Sequence, residues 1–271
     1  MPPMPDRVIH IDSLADPRIA PYLNLKDREL AREGGRFIAE GELVVRRLLD
    51  SRISVESLLL AEPKVPELAP LVPQSLPIYS APAHMVNQIV GFKFHSGVMA
   101  VGIRPPKLTL AKAAESWTQP RLTLTICPEI SNTDNLGSLI RISSGFGIDA
   151  MILGENCCDP FYRQSIRVSM GSVFRLPIVQ SENLLDDLQL LRQQYRVQML
   201  ATVLAETAEP LAHARRPQRI GVLFGNEAQG LRPQHIAASD RRITIPMQLG
   251  TDSLNVSVAA GIVLYHFTQY V

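Results

Sequence analysis

A chain of 271 residues, 46% hydrophobic and 20% charged, has room for two domains and an ordinary globular core. Its net charge of +1 excludes a strongly basic nucleic-acid binder but not a local basic patch, and most of its cations are arginine. No apolar run reaches the roughly 18 residues of a membrane span and MPPMPDRVIH has no apolar signal core, so no membrane partner and a cytoplasmic protein are expected.

From Arg7 to about Arg104, short strand-like and helix-like segments alternate. Phe37 and Ile38 read as a strand, Leu43 to Leu49 as a helix and Val55 to Leu60 as a second strand. The prolines between Pro63 and Pro82 break any long helix there. His84 to Val90 reads as a helix and Gly97 to Ile103 as a strand, which completes a small α/β module. Arg28, Arg32 and Arg36 recur every fourth residue beside Gly34 and Gly35, a spacing that suits a grip on phosphates and equally an exposed helix face. Pro105, Pro106 and Pro120 bracket a linker with a short helix, and Trp117 within it is expected to pack the linker onto one domain. The expected division is therefore 1–104, a linker at 105–120, and 121–271.

The second domain opens with LTLTIC, Leu122 to Cys127, an apolar β-branched run read as a buried strand. Asn132, Asp134 and Asn135 read as a turn, Gly137 as a point of close backbone approach, and Leu139, Ile140 and Ser143 as the start of a helix ending near Gly145. Ile148 to Leu153 is the next strand. Asp159 and Pro160 then start a helix with Arg163 and Arg167 on one face, before a strand at FRLPIV. Leu184 to Tyr195 is amphipathic, and Val197 to Leu204 and Ile220 to Phe224 are strands. A last strand places Ile243 and Ile245 inward and ends at Pro246, which has no amide hydrogen to donate. After the loop Met247 to Asp252, either Asp252 or Ser253 caps a helix whose face is Val256, Ala259, Ala260, Val263, Leu264 and Phe267. Alternating strands and helices mean an α/β fold, a mostly parallel sheet with helices on both faces.

Three polar loops stand at strand ends: NTDNLGSLIR, GNEAQGL and MQLGTDSLN. Ligands of open α/β sheets bind beyond the carboxyl ends of the strands, so these loops are placed to converge on one site. Gly145-Phe146-Gly147 is a fragment of a dinucleotide fingerprint, but it precedes a strand where the fingerprint must follow one. No P-loop or GxSxG elbow occurs. Cys127, Cys157 and Cys158 are odd in number and two are neighbours, which suits reduced structural thiols, and no His or Cys spacing matches a metal site.

NLGSLIR, FGNEAQGL and IPMQLGTDSLNVSVAAGIVLY resemble, in order and spacing, the three motifs of the SpoU or TrmH family of RNA ribose 2′-O-methyltransferases. The resemblance covers the whole second domain, and GGRFIAEGELVVRRLL is similar to the substrate-binding domain often fused in front of it. It implies a C-terminal trefoil knot, a homodimer, S-adenosylmethionine as cofactor and RNA as substrate, ribosomal in preference to transfer RNA. Carried over residue by residue, Gly225, Asn226, Ile245 and Leu254 would contact the cofactor, largely through backbone groups. Arg141 matches the family's proposed catalytic residue. An arginine is a poor general base, its pKa lying above about 12; Arg141 is therefore expected to orient and stabilise the nucleophile, and the proton acceptor stays open. Asn135 would fix the turn or touch the ribose, Asn255 would enter the site, and Glu227 would hold the knot loop or a partner Arg by hydrogen bonding, or act as a base. Arg32, Arg36, Arg163 and Arg167 are candidate contacts to RNA phosphates. No metal is implied. The reading from a different class is an RNA-binding or ribosome-assembly protein that keeps the fold without transferring a methyl group.

Overall fold

A computed structural model describes residues 8–23, 35–90, 96–248 and 253–270. The chain forms two units, one made of Met1–Pro106 with Phe161–Phe174, the other of Lys107–Pro160 with Arg175–Val271.

The first unit is built on a five-stranded sheet of β1 (Val8–His10), β2 (Arg36–Glu40), β3 (Val55–Ala61), β4 (Ile78–Ala81) and β5 (Val98–Ile103), in the order β1-β4-β3-β5-β2. The first three strands of that order run parallel, and β5 is antiparallel to both β3 and β2. Apolar runs with no polar alternation fill the central strands, and Leu58, Leu59, Leu60 and Val98 to Val101 are fully buried. Helix α1 (Glu42–Leu49) turns Val44, Val45 and Leu48 inward and leaves Arg46 and Arg47 half-buried. Gly102 must lack a side chain, because a Cβ there would lie 2.2 Å from the Phe37 ring that crosses it.

The second unit carries a seven-stranded sheet in which every pairing is parallel. Its strands are β6 (Leu122–Cys127), β7 (Ala150–Leu153), β8 (Ile178–Gln180), β9 (Gln198–Thr202), β10 (Glu209–Pro210), β11 (Arg219–Leu223) and β12 (Arg241–Thr244), in the order β10-β12-β9-β11-β6-β7-β8. Helices α2 (Thr133–Gly145), α3 (Leu184–Gln193), α4 (Pro233–Ala237) and α5 (Val256–Tyr265) follow β6, β8, β11 and β12. All six residues of β6 are buried, and Leu124 and Ile126 share a core with Leu188, Leu191 and Met199. Of the stretch 105–120, Leu110, Ala113 and Trp117 enter that core, with the Trp117 ring edge-on to Tyr195 at 5.5 Å. Helix α5 packs along α2, burying Ser257, Ala260, Val263 and Leu264, and Thr125 meets Ser143 in a buried hydroxyl pair of 3.0 Å that ties β6 to α2.

Four local readings are corrected. The turn expected at Asn132 to Asn135 is the first turn of α2, because the Asn132 side chain accepts from the amides of Asp134 and Asn135 and starts the helix six residues earlier than apolar spacing indicates. The strand expected at FRLPIV is confined to Ile178–Gln180, with a 3-10 turn at Ser172–Phe174 before it. The helix expected from Asp159 begins at Arg163, and its segment belongs to the first unit. The cap of the last helix is Asn255 in place of Asp252 or Ser253, its side chain accepting from the Ser257 amide; Asp252 itself lies outside the described residues.

Candidate active site

The carboxyl ends of β6, β11 and β12 feed the three polar loops, and parallel pairing brings β6 and β11 side by side. Glu227, in the loop after β11, gathers five donors. They are the Ser131 amide (3.4 Å) and hydroxyl (3.3 Å), the Asn132 amide (3.2 Å), Asn135 Nδ2 (3.1 Å) and Asn226 Nδ2 (3.2 Å). Desolvation alone would raise the Glu227 carboxyl, but hydrogen bonds from its own backbone amide, Asn135, Asn132 and Ser131 outweigh it and hold the pKa below the ordinary value.

An ionised carboxylate only accepts, so Asn135 must present its amide nitrogen to Glu227 and its oxygen the other way. That oxygen receives Asn255 Nδ2 at 3.0 Å, while Asn255 Oδ1 caps α5 through the Ser257 amide at 2.8 Å. A chain of side-chain hydrogen bonds thus runs Glu227, Asn135, Asn255 and joins all three loops. A second tie between the first two is the ion pair of Arg232 with Glu129 at 2.5 Å.

The middle loop closes on itself. Asn226 and Gly230 exchange both backbone hydrogen bonds, at 3.0 and 2.9 Å, and Asn226 Oδ1 accepts from the amides of Ala228 and Gln229. Gly225 is forced by this closure, since a Cβ there would lie 2.3 Å from the Gly230 carbonyl carbon. Beside the loop lies a cavity of about 450 Å³. Gly225, Asn226, Ile245 and Leu254 all line it, as do Glu227, Leu204, Phe224, Leu231 and Met247. Its size falls in the range of small-molecule and cofactor pockets, and its lining is mixed apolar and polar.

The structure thus brings together Asn135, Glu227 and Asn255 by hydrogen bonds, and Gly225, Asn226, Ile245 and Leu254 around one cavity. Arg141 stands apart from both groups, exposed on α2, with no hydrogen bond or ion pair among the described residues. Three other candidates belong to the first unit, where carboxylates engage them. Arg36 Nε donates to Glu56 at 2.7 Å, Arg163 pairs with Glu40 at 3.3 Å, and Arg167, with 61% of its side chain exposed, lies 3.9 Å from Glu40. Arg32 lies outside the described residues. Sequence reasoning missed Ser131 and Asn132 as partners of Glu227, and Leu204 as a cavity residue. The signal for Leu204 was its place at the carboxyl end of a strand, readable only once β9 is known to lie beside β11.

Cys127 is buried and Cys157 and Cys158 are partly so, and all three are free thiols. Burial pushes Cys157 up to about 12 and Cys158 up to about 11, which keeps both protonated and unreactive. Among the described residues no group of three or more His, Cys, Asp or Glu is placed to hold a metal ion, and no helix is long and apolar enough to cross a membrane.

A parallel α/β unit with a cavity at the carboxyl ends of its strands, lined by the segments after β9, β11 and β12, has the form of a ligand-binding site. The SpoU rRNA methylase family profile matches residues 123–265, which include every loop of the site. The chain belongs to this family. It is 33% identical over 265 residues to the uncharacterized tRNA/rRNA methyltransferase Rv0881 of Mycobacterium tuberculosis, covering 94% of this chain and 89% of that protein. It is 29% identical over 232 residues to the 23S rRNA (guanosine-2′-O-)-methyltransferase RlmB of Acinetobacter baylyi, covering 78% and 92%. The crystal structure of an AdoMet-bound rRNA methyltransferase from Sinorhizobium meliloti superposes with a TM-score of 0.82 at 25% identity, covering 98% of this chain and 99% of that one.

Proposed function

We propose that the chain is an S-adenosylmethionine-dependent methyltransferase acting on a ribose 2′-hydroxyl of structured RNA, ribosomal in preference to transfer RNA. The observation that carries the reading is the hydrogen-bonded chain Glu227, Asn135, Asn255, whose Glu227 also lines the 450 Å³ cavity. Gly225, Asn226, Ile245 and Leu254 would hold the cofactor, the apolar pair against its base and the glycine by letting the backbone come close. The cofactor supplies an electrophilic methyl group on a sulfonium.

The chain's own residues then position the nucleophile. Asn135 and Asn255 fix each other's amides and the start of α5, and Glu227 fixes Asn135. Glu227 stays ionised and spends its lone pairs on five donors, which suits a positioning residue rather than a general base. Arg141 orients and stabilises the attacking oxygen through its guanidinium donors.

The finer architecture belongs to the same proposal: a trefoil knot in the C-terminal unit, an RNA-selecting N-terminal unit, and cytoplasmic work. Arg32, Arg36, Arg163 and Arg167 would touch RNA phosphates, Arg167 being the more accessible of the last two. A homodimer is supported by the exposed stripe of Val258, Ile262 and Tyr265 on α5. Transfer of labelled methyl from S-adenosylmethionine to unmodified ribosomal RNA, mapped to a ribose 2′-oxygen, tests the reading.

A further inference from the structure

Residues 161–174 stand between β7 and β8 in sequence, yet they belong to the first unit. There they meet β2, the edge strand of the five-stranded sheet, which among the described residues pairs only with β5. An exposed edge offers unpaired backbone groups, and proteins commonly cover it with a helix or loop. The helix Arg163–Val168 packs against β2 in this way.

The contact is specific in both its apolar and its polar parts. Phe161 and Phe174 flank the Phe37 ring, with centroids at 5.2 and 5.7 Å, and Phe37 is 1% exposed. The Arg104 guanidinium lies 5.7 Å from the centre of the Phe161 ring. At the end of β2 the Glu40 side chain is 11% exposed and pairs with Arg163 at 3.3 Å. A carboxylate buried to that degree is costly without a partner. From α1, Arg47 donates to the Met170 carbonyl at 2.5 Å. Met170 has φ 53, a left-handed conformation disfavoured for a side chain of that size, and such backbone persists only where its surroundings hold it.

We propose that segment 161–174 is a structural element of the N-terminal unit, supplied by the crossover between β7 and β8, and that β2 and α1 do not keep their native order without it. The N-terminal unit is then not a separable domain, and its fold depends on a piece of chain that lies inside the methyltransferase sequence. This conclusion does not rest on the methyltransferase reading.

Hydrogen-deuterium exchange on the full chain tests it. In Phe161→Ala, peptides spanning β2 and α1 should exchange at least about tenfold faster, and in Arg163→Ala several fold faster, while peptides spanning β6 and β11 change less than about twofold. If Phe161→Ala does not yield folded protein, Arg163→Ala and Glu40→Gln carry the same comparison. Unchanged protection of β2 and α1 overturns the proposal. Equal loosening of β6 and β11 also overturns it, because the segment would then be holding the second unit as much as the first.

Discussion

Asn135 and Asn255, 120 residues apart in sequence, meet side chain to side chain, the Asn255 amide donating to the Asn135 oxygen at 3.0 Å. Asn135 gives its own amide to Glu227, so one asparagine fixes two loops at once. Asn135→Ala should cost about 1 kcal/mol of stability, since water replaces these partly exposed bonds, yet slow methyl transfer by about a hundredfold through lost positioning. Denaturant unfolding and single-turnover kinetics measure the two effects. Turnover close to wild type would remove the asparagine pair from the site.

The Glu227 carboxyl sets the acid limit of this arrangement. Its pKa in the folded chain lies below the ordinary value of 4.5, so its anchoring is fully present above the unfolded pKa and is lost as pH falls through the folded one. The amides of Ser131 and Asn132 should therefore be protected at neutral pH and lose protection only on the acid side of 4.5. In Glu227→Gln the two amides should exchange faster at pH 7, with no further loss in acid. Equal protection in the variant would show that the carboxylate does not hold the loop.

Gly225 is the position where one added carbon should matter most. A Cβ 2.3 Å from the Gly230 carbonyl carbon cannot be accommodated without opening the hydrogen-bonded loop from Asn226 to Gly230. Calorimetry on Gly225→Ala should show S-adenosylmethionine affinity reduced by about tenfold or more, with the melting temperature lowered by only a few degrees, about 1 kcal/mol. Wild-type affinity would separate this loop from the cofactor site.

The site was more legible in the sequence than the packing that supports it. Asn135, Glu227 and Asn255 stand in three short motifs whose order and spacing resemble a known family, and the strand LTLTIC reads as buried because it is rich in apolar and β-branched residues. Asn132 was misread because a capping asparagine and a turn asparagine look alike until the following amides are seen to point at it. Arg163 and Arg167 have the spacing of a surface grip, and nothing local reveals that Glu40, 123 residues away from Arg163, takes the first of them. The place of residues 161–174 was hidden for the same reason, since local pattern carries no record of which sheet a helix will cover.

Val258, Ile262 and Tyr265 lie four and three residues apart on α5, and each is at least two-fifths exposed. The Tyr265 ring also sits 5.9 Å from Phe146, extending the apolar surface onto the residue that follows α2. If the proposed homodimer forms through this stripe, wild type should sediment as a dimer and Ile262→Glu as a monomer in analytical ultracentrifugation, with the far-ultraviolet dichroism unchanged. A dimer that survives the substitution would place the interface elsewhere.

The central claim is that the loops joined by Glu227, Asn135 and Asn255 position an RNA ribose for methyl transfer, with Arg141 acting on the attacking oxygen. The direct measurement is transfer of labelled methyl from S-adenosylmethionine to unmodified ribosomal and transfer RNA by wild type and Arg141→Ala. Wild type should place label on a ribose 2′-oxygen of ribosomal RNA, and the variant should lose transfer by a factor of about a thousand or more while keeping cofactor affinity within a few fold. No transfer by wild type to either RNA while the cofactor still binds, or an active Arg141→Ala enzyme, would contradict it.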